Sequence, residues 1–152
     1  MRIVVQRVSS AAVGVEGRRV GAVGHGLLLL VGIAPEDVDL DFSRVAAKIV
    51  ELRIFQDDEG RMNRSLRDVG GDILAISQFT LFGDARKGRR PSFVGAAAPE
   101  VASPLFDRFV DALRAKDVGV STGRFGAKMD VSLVNDGPVT LVLEVAPPAS
   151  WR

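Results

Sequence analysis

The sequence has no cysteine and no tyrosine, and its 152 residues include one tryptophan and one histidine, His25. The absence of cysteine excludes disulfides, zinc ribbons, iron–sulfur clusters and thiol nucleophiles. A single histidine excludes metal sites that need several imidazole ligands. With no tyrosine, one tryptophan and no RNA-recognition signature, the sequence does not predict the aromatic platform on which many RNA-binding modules stack bases.

The sequence also has almost no net charge and no long apolar run. It carries 20 Lys and Arg against 19 Asp and Glu, a balance of +1, so contact with nucleic acid or an anionic membrane must be local. The apolar run Gly26–Ala34 is far too short to cross a membrane, and the N-terminus lacks the features of a signal peptide. We therefore expect a soluble, cytoplasmic protein that does not bind membranes.

Hydrophobic periodicity predicts a single α/β domain in which strands outnumber helices. The predicted strands cover residues 2–8, 11–15, 18–23, 26–34, 52–56, 73–82, 127–133 and 139–145, and the predicted helices lie near 38–51 and between Ser103–Pro104 and Asp117. Several strands form hairpins, with Glu16–Gly17 as the first two-residue turn. This order predicts a mixed, largely antiparallel sheet over residues 1–146. The C-terminal tail 147–152 is either frayed or docked through Trp151.

Three polar residues, Ser77, Gln78 and Thr80, interrupt the apolar run of the predicted strand 73–82. A buried polar side chain costs about 1–3 kcal/mol unless it is paired. If the strand continues, its period of two places Gln78 and Thr80 on one face and Ser77 on the other. The pattern alone slightly favours the alternative, in which the strand leaves the core at Ser77. Thr80 is a weak candidate nucleophile, because no partner base can be assigned to it.

Basic residues concentrate in the long predicted loop 83–98. The segment 84–90 carries one acid, Asp84, and four basic residues, which are Arg86, Lys87, Arg89 and Arg90. Phosphate binding is a natural use of such a cluster, and Gly88 permits close approach of the backbone. A solvated basic loop is the alternative. The local charge of +3 in a nearly neutral chain favours phosphate binding.

The segment Asn135–Pro138 predicts a hairpin turn between the last two strands. Pro138 follows Gly137, which raises the possibility of a cis peptide. About 5–6% of X–Pro bonds in folded proteins are cis.

Two motifs, Ser77–Leu81 (SQFTL) and Asn135–Thr140 (NDGPVT), together resemble the signature motifs of the D-aminoacyl-tRNA deacylases. Four further segments are similar to the same family, namely Met1–Ser10, Leu52–Asn63, Arg86–Phe93 and Thr122–Val134. The resemblance therefore extends over nearly the whole chain.

This resemblance implies a barrel-like sheet and a homodimer whose active sites lie at the subunit interface. The catalytic floor would be formed by Ser77, Gln78, Phe79 and Thr80. A cis Gly137–Pro138 peptide would reach in from the partner subunit and exclude L-amino acids. Arg7 resembles a residue that holds this element, and Met129 resembles a residue near the pocket.

The implied reaction is hydrolysis of the ester bond of D-aminoacyl-tRNA, and of mischarged glycyl-tRNA, without a metal or other cofactor. The family mechanism recruits the 2′-hydroxyl of the terminal ribose, so the protein positions the ester and stabilises the oxyanion with fixed donors. Thr80 would then be a positioning residue, and the tRNA phosphates would contact Arg86, Lys87, Arg89 and Arg90. The alternatives are a noncatalytic RNA-binding module and a threonine-dependent esterase.

Overall fold

The first strand runs unbroken from Arg2 to Val15 and forms the centre of the main sheet. The structure, a computed structural model, describes residues 1–148 and 150–151. Its strands are β1 (Arg2–Val15), β2 (Arg18–Val23), β3 (Gly26–Gly32), β4 (Phe55–Gln56), β5 (Met62–Arg64), β6 (Asp72–Ser77), β7 (Val120–Thr122), β8 (Asp130–Ala146) and β9 (Ser150–Trp151). Its helices are α1 (Phe42–Glu51), α2 (Leu66–Val69) and α3 (Pro99–Arg114), with 3₁₀ turns at Pro35–Asp39 and Phe79–Phe82.

In the described residues, the main sheet has seven strands in the order β7-β6-β3-β1-β8-β9, with β2 also paired to β1. The β3–β6 and β6–β7 pairs are parallel, whereas β1 is antiparallel to β2, β3 and β8. The sheet nearly closes into a barrel and is accompanied by few helices. The predicted mixed, largely antiparallel α/β fold with two main helices is therefore confirmed.

The hairpin between β1 and β2 contains the predicted turn. Glu16 and Gly17 both have positive φ angles, 53° and 77°. Two such residues form a turn whose twist matches that of the flanking strands. The predicted central strand is also confirmed, because β3 lies between β1 and β6 and buries Leu27–Leu29. Its burial on both faces explains why its sequence does not alternate.

The last two predicted strands are one continuous strand, so the predicted hairpin turn between them is wrong. β8 pairs with β1 on both sides of this segment, with Gln6 opposite Thr140 and Val8 opposite Asn135. Residues 136–139 therefore bulge opposite the single residue Arg7. The two halves of β8 do not fold back on each other because both find their hydrogen-bond partners in β1. The strands predicted at 2–8 and 11–15 are likewise one strand, β1, because both parts pair with β8.

β6 ends at Ser77, and the predicted continuation of the strand to residue 82 is wrong. The Gln78 N–H donates to the Val31 carbonyl at 2.8 Å, and the Leu81 N–H then donates back to the Gln78 carbonyl at 3.2 Å. This second bond closes the 3₁₀ turn Phe79–Phe82 and ends the alternation of faces. The alternative, in which the strand leaves the core at Ser77, is confirmed.

Both main helices begin at residues other than those predicted. α3 begins at Pro99, and proline suits this first position because a backbone N–H there would have no acceptor within the helix. The predicted start, Ser103–Pro104, lies inside the helix. α1 begins at Phe42, after Asp41, whose carboxylate accepts a hydrogen bond from the Arg44 N–H at 3.1 Å. The acidic segment before it is the separate 3₁₀ turn.

Some short elements, among them α2 and β7, were not predicted. The local signal for α2 is the capping box in which Ser65 accepts from the Asp68 N–H and the Asp68 carboxylate accepts from the Ser65 N–H. No comparable local signal marks β7, which is three residues long and pairs with β6.

The larger hydrophobic core lies between the sheet and the helices α1 and α3, where Phe42 packs against Phe109. Trp151 of the predicted tail packs against this core and pairs with Val145 across β8 and β9, so the tail is docked at this residue. Ala149 and Arg152 lie outside the described residues, and the domain boundary at 146 stays a prediction. Throughout the described ranges, every helix is too short or too polar to span a bilayer.

Candidate functional site

The main cavity lies at the end of β6. Its volume is about 710 Å³, within the range of about 300–1,000 Å³ typical of small-molecule sites. The wall is mostly apolar and consists of Ile33, Ile76, Phe93, Ala96–Pro99, Ala102, Phe125–Ala127, Met129 and Val131. The remaining lining residues are the four predicted catalytic residues, Ser77, Gln78, Phe79 and Thr80. The structure therefore brings the predicted floor together at one cavity.

The 3₁₀ turn supplies hydrogen-bond donors to this floor. The Gln78 Nε2 donates to the Thr80 Oγ1 at 2.5 Å. A hydroxyl oxygen that accepts this bond keeps its own proton available for another acceptor. The N–H groups of Phe79 and Thr80 begin the turn, where helical geometry supplies no acceptor. Hydroxyl and backbone donors thus belong to residues that line the cavity.

Two aromatic rings from separate segments meet at the cavity. The rings of Phe79 and Phe93 pack edge to face with their centroids 5.2 Å apart. Both rings remain partly exposed, by 55% and 37% of the residue surface. An exposed aromatic pair offers apolar area at little conformational cost to a ligand that enters the cavity.

Met129 lines the main cavity, in agreement with its expected position near the pocket. Its sulfur lies so close to Gly123 that a side chain at that position would collide with it. Gly123 therefore leaves the space that Met129 occupies.

Arg7, Gly137 and Pro138 lie elsewhere in the chain. Arg7 is 4% exposed, and it donates from Nη1 to the Ile54 carbonyl at 2.7 Å and from Nε to the Asp136 carbonyl at 3.1 Å. The Gly137–Pro138 peptide is cis, and both residues are exposed. Within the described part of the chain, these three residues do not contribute to the lining of the main cavity.

Asn135 braces the bulge that carries Gly137–Pro138. Its Nδ2 donates to the Val139 carbonyl at 3.1 Å, and its Oδ1 accepts from the Val139 N–H at 3.0 Å. Sequence analysis assigned Asn135 to a hairpin turn and missed this role. The first residue of the second motif thus fixes the shape of the segment that follows it.

The basic loop is braced at its base. The N–H and carbonyl groups of Asp84 and Ser92 bond to each other in an isolated bridge, at 2.7 and 2.8 Å. Arg86 donates to the Asp84 carboxylate from Nε at 2.9 Å and from Nη2 at 2.7 Å, which lowers the pKa of Asp84 to about 2. The four predicted phosphate-binding residues are all exposed, namely Arg86, Lys87, Arg89 and Arg90.

Several cavity residues were not predicted as site residues. Phe93 and Ala96–Pro99 come from the long loop and the start of α3, and Phe125 comes from the connection between β7 and β8. They are small or apolar, so local sequence offers no chemical signal. The similarity of the segments 86–93 and 122–134 to the deacylase family was the one available indication.

Comparisons with known proteins cover nearly the entire chain. Residues 4–144 match the family model described as D-Tyr-tRNA(Tyr) deacylase. A D-aminoacyl-tRNA deacylase from Desulfatibacillum aliphaticivorans is 60% identical over 144 residues, which cover 95% of this chain and 99% of the relative. A protein of the same name from Brevibacillus brevis is 59% identical over 144 residues, with the same coverage.

Two solved structures share the fold. The structure of the c-Myc DNA Unwinding Element Binding Protein has a TM-score of 0.86 and 39% identity, and it covers 95% of this chain and 98% of that chain. A structure described as "a probable eukaryotic D-amino acid tRNA deacylase" has a TM-score of 0.76 and covers 93% of this chain and 97% of that chain. At 20% identity, the second supports the fold alone.

The fold and these end-to-end relatives define the class of protein, a hydrolase that acts on ester bonds. Within that class, the chain belongs to the D-Tyr-tRNA(Tyr) deacylase family. The resemblance seen in the two motifs is therefore confirmed.

Proposed function

We propose that the protein hydrolyses the ester bond of D-aminoacyl-tRNA, and of mischarged glycyl-tRNA, in the cytoplasm. One observation carries this proposal: in a chain 60% identical to a D-aminoacyl-tRNA deacylase, the residues Ser77–Thr80, whose motif resembles that family's signature, form the polar floor of the main cavity. The cavity offers an apolar chamber for an amino-acid side chain beside the hydrogen-bond donors of the 3₁₀ turn. The products are the free D-amino acid and the tRNA.

The chemistry needs positioned donors more than a strong nucleophile. Water attacks the ester carbonyl carbon, the bond to the ribose oxygen breaks, and that oxygen takes up a proton. The negative charge that develops on the carbonyl oxygen is stabilised by fixed donors, for which the Thr80 hydroxyl and the N–H groups of Phe79 and Thr80 are the candidates. In this proposal, the 2′-hydroxyl of the terminal ribose assists the attack, and Thr80 positions the ester.

Selection against L-amino acids is proposed to come from the partner subunit of a homodimer. In the described part of one chain, one edge of β8 pairs with β1. The other edge pairs with β9 at Val145 and Ala146 alone, so most of this edge is open. Val134 and Val142 on this strand are 56% and 64% exposed. Pairing through this strand would bring the exposed Gly137–Pro138 of one subunit towards the cavity of the other. Selectivity for D-amino acids then comes from steric exclusion of the L isomer by this element.

The basic loop is proposed to contact the tRNA phosphates. Its four exposed basic residues, Arg86, Lys87, Arg89 and Arg90, follow the catalytic turn directly in the chain. Arginine and lysine side chains that neutralise phosphates make binding strongly dependent on salt.

The test is hydrolysis of D-tyrosyl-tRNA and L-tyrosyl-tRNA by the purified protein. We expect release of D-tyrosine and no acceleration of L-tyrosine release over the buffer control. Equal hydrolysis of both esters would contradict the exclusion of L-amino acids, and hydrolysis of neither would contradict the activity itself.

A second candidate is noncatalytic nucleic-acid binding, because this chain is 39% identical to a protein named for binding DNA, the c-Myc DNA Unwinding Element Binding Protein. Retention of RNA or DNA with no turnover would support this candidate. The threonine-dependent esterase would instead leave a covalent adduct on Thr80 that mass spectrometry can detect.

A further inference from the structure

A further cavity, here called the flanking cavity, adjoins the main cavity. Its volume is about 600 Å³, and its lining includes Arg2, Phe82, Asp84, Arg86, Ser92 and Val94. The two cavities share the same two walls. In the 3₁₀ turn, Thr80 lines the main cavity, whereas Phe82 lines the flanking cavity. In the second wall, Phe93 lines the main cavity, whereas its neighbours Ser92 and Val94 line the flanking cavity.

Two guanidinium groups line the flanking cavity, and each is oriented by other residues. Arg2 donates from Nη1 to the Leu81 carbonyl at 3.0 Å, lies 5.0 Å above the ring centroid of Phe82, and has Nε 3.1 Å from the Glu144 carboxylate. Arg86 is held by its two bonds to Asp84. A guanidinium has five N–H donors, so each arginine keeps donors beyond these contacts.

The guanidinium donors that these pairs leave over favour an anion with two or more oxygen atoms. Arg86 is paired with the lining acid Asp84, and Arg2 with Glu144 outside the lining, so the cavity offers unused N–H donors and no excess of charge. The planar fork of a guanidinium matches the oxygen atoms of a phosphate in a bidentate arrangement. Beside it, the side chain of Val94 is 92% exposed and offers apolar contact.

We propose that the flanking cavity binds the RNA strand immediately before the aminoacylated terminal nucleotide, with Arg2 and Arg86 on its phosphodiester. This inference rests on the proposed function, because the terminal nucleotide must occupy the main cavity. The two cavities are lined by neighbouring residues of the same two segments, so in this proposal a strand that enters the main cavity continues into the flanking one. Its volume also exceeds what a free inorganic phosphate needs.

The experiment compares two substrates, D-tyrosyl-tRNA and D-tyrosyl-adenosine, of which the second carries the ester but no phosphodiester. We expect Arg86→Gln to raise the KM for D-tyrosyl-tRNA about tenfold and to reduce the slope of log KM against log salt concentration by about 0.7, the value for one contact with a single strand. Hydrolysis of D-tyrosyl-adenosine should be unchanged. Arg61→Gln is the matched control, because it removes the same charge from the exposed β4–β5 hairpin.

Arg2→Gln and Arg2→Lys separate binding from support of the turn, since Arg2 also bonds to Leu81. Loss confined to D-tyrosyl-tRNA supports the subsite for both arginines. An equal loss of activity on both substrates would show that the arginines only support the walls of the site. Unchanged activity on D-tyrosyl-tRNA would refute phosphate contact. Either result overturns the proposal.

Failure of the proposed function would be recognised separately. If the wild-type protein hydrolyses neither substrate, fluorescence anisotropy with uncharged tRNA still tests the subsite. A loss of affinity of about tenfold in Arg86→Gln, with Arg61→Gln unchanged, supports it. Equal affinity of the wild type and Arg86→Gln would refute it.

Discussion

The buried guanidinium of Arg7 donates from Nε to the backbone carbonyl of Asp136 at 3.1 Å and thereby ties β1 to the bulge of β8. The same side chain donates from Nη1 to the Ile54 carbonyl at 2.7 Å. One residue therefore fixes two segments that are far apart in the sequence. The bulge it holds carries Gly137–Pro138, the element proposed to select the D isomer.

Replacing Arg7 should destabilise the fold as well as the bulge. Arg7→Ala leaves the Ile54 carbonyl without this partner, so we expect the free energy of unfolding to fall by about 1–3 kcal/mol. Arg7→Lys should recover little, because a single ammonium cannot reproduce the guanidinium fork. Urea denaturation measures both. The control Arg61→Ala changes an exposed residue, so its free energy of unfolding should stay within about 0.5 kcal/mol of the wild type. An equally small effect of Arg7→Ala would count against the anchoring role.

A side chain at Gly137 should disturb the selective element. Its φ is +130°, and a Cβ would lie 2.9 Å from the Val139 Cγ2 and 3.0 Å from the Arg7 Nη2. We expect Gly137→Ala to lower the ratio of D-ester to L-ester hydrolysis. The matched control is Gly60→Ala, where φ is +81° and no atom lies within 4 Å of the added Cβ. That substitution should cost stability of about 1–2 kcal/mol through the backbone and leave the ratio unchanged.

Removing the hydroxyl of Thr80 should slow the reaction without abolishing it. Thr80→Val retains the shape of the side chain, and we expect kcat to fall about tenfold, which corresponds to about 1.4 kcal/mol of transition-state stabilisation. Thr80→Ser keeps the hydroxyl that accepts from Gln78 and should remain close to the wild type. Steady-state kinetics with D-tyrosyl-tRNA measures kcat and KM for each variant. Complete loss in Thr80→Val, with a trapped adduct on the wild-type residue, would identify a nucleophile instead.

A charge on the open edge of the sheet should separate the proposed subunits. Val142 is 64% exposed on β8, so Val142→Lys should yield folded monomers by light scattering and lose deacylase activity. Val38→Lys is the control, because Val38 is 52% exposed in the 3₁₀ turn before α1. Active monomers would contradict the shared site.

Asp84 should titrate well below an ordinary aspartate. Its pKa is lowered from 3.8 to about 2, chiefly by the hydrogen bonds from Arg86. Since the pKa is depressed in the folded state, the bracing of the loop is fully present above about pH 4 and is lost as the pH falls through about 2. Carboxyl NMR titration should give this low midpoint in the wild type and a higher one in Arg86→Gln. Matching midpoints in the two proteins would rule out the bracing.

The local pattern left the end of β6 open and was overridden by tertiary pairing in β8. The polar residues Ser77, Gln78 and Thr80 fit either a continuing strand or its end, and the local hydrogen bond from the Leu81 N–H back to the Gln78 carbonyl ends it. The segment Asn135–Pro138 has the composition of a hairpin turn. It is a bulge because β1 is long enough to pair with both flanking halves of β8.

The local sequence determined the β1–β2 hairpin, because two residues with positive φ set its turn, and the central β3, because unbroken apolar residues suit burial on both faces. It also contained both motifs of the family. Tertiary structure alone decided which residues share a cavity, because Phe93, Phe125 and Met129 meet the end of β6 from segments far along the chain. Contacts of that range depend on how the sheet curves and pairs, and no local pattern of residues specifies them.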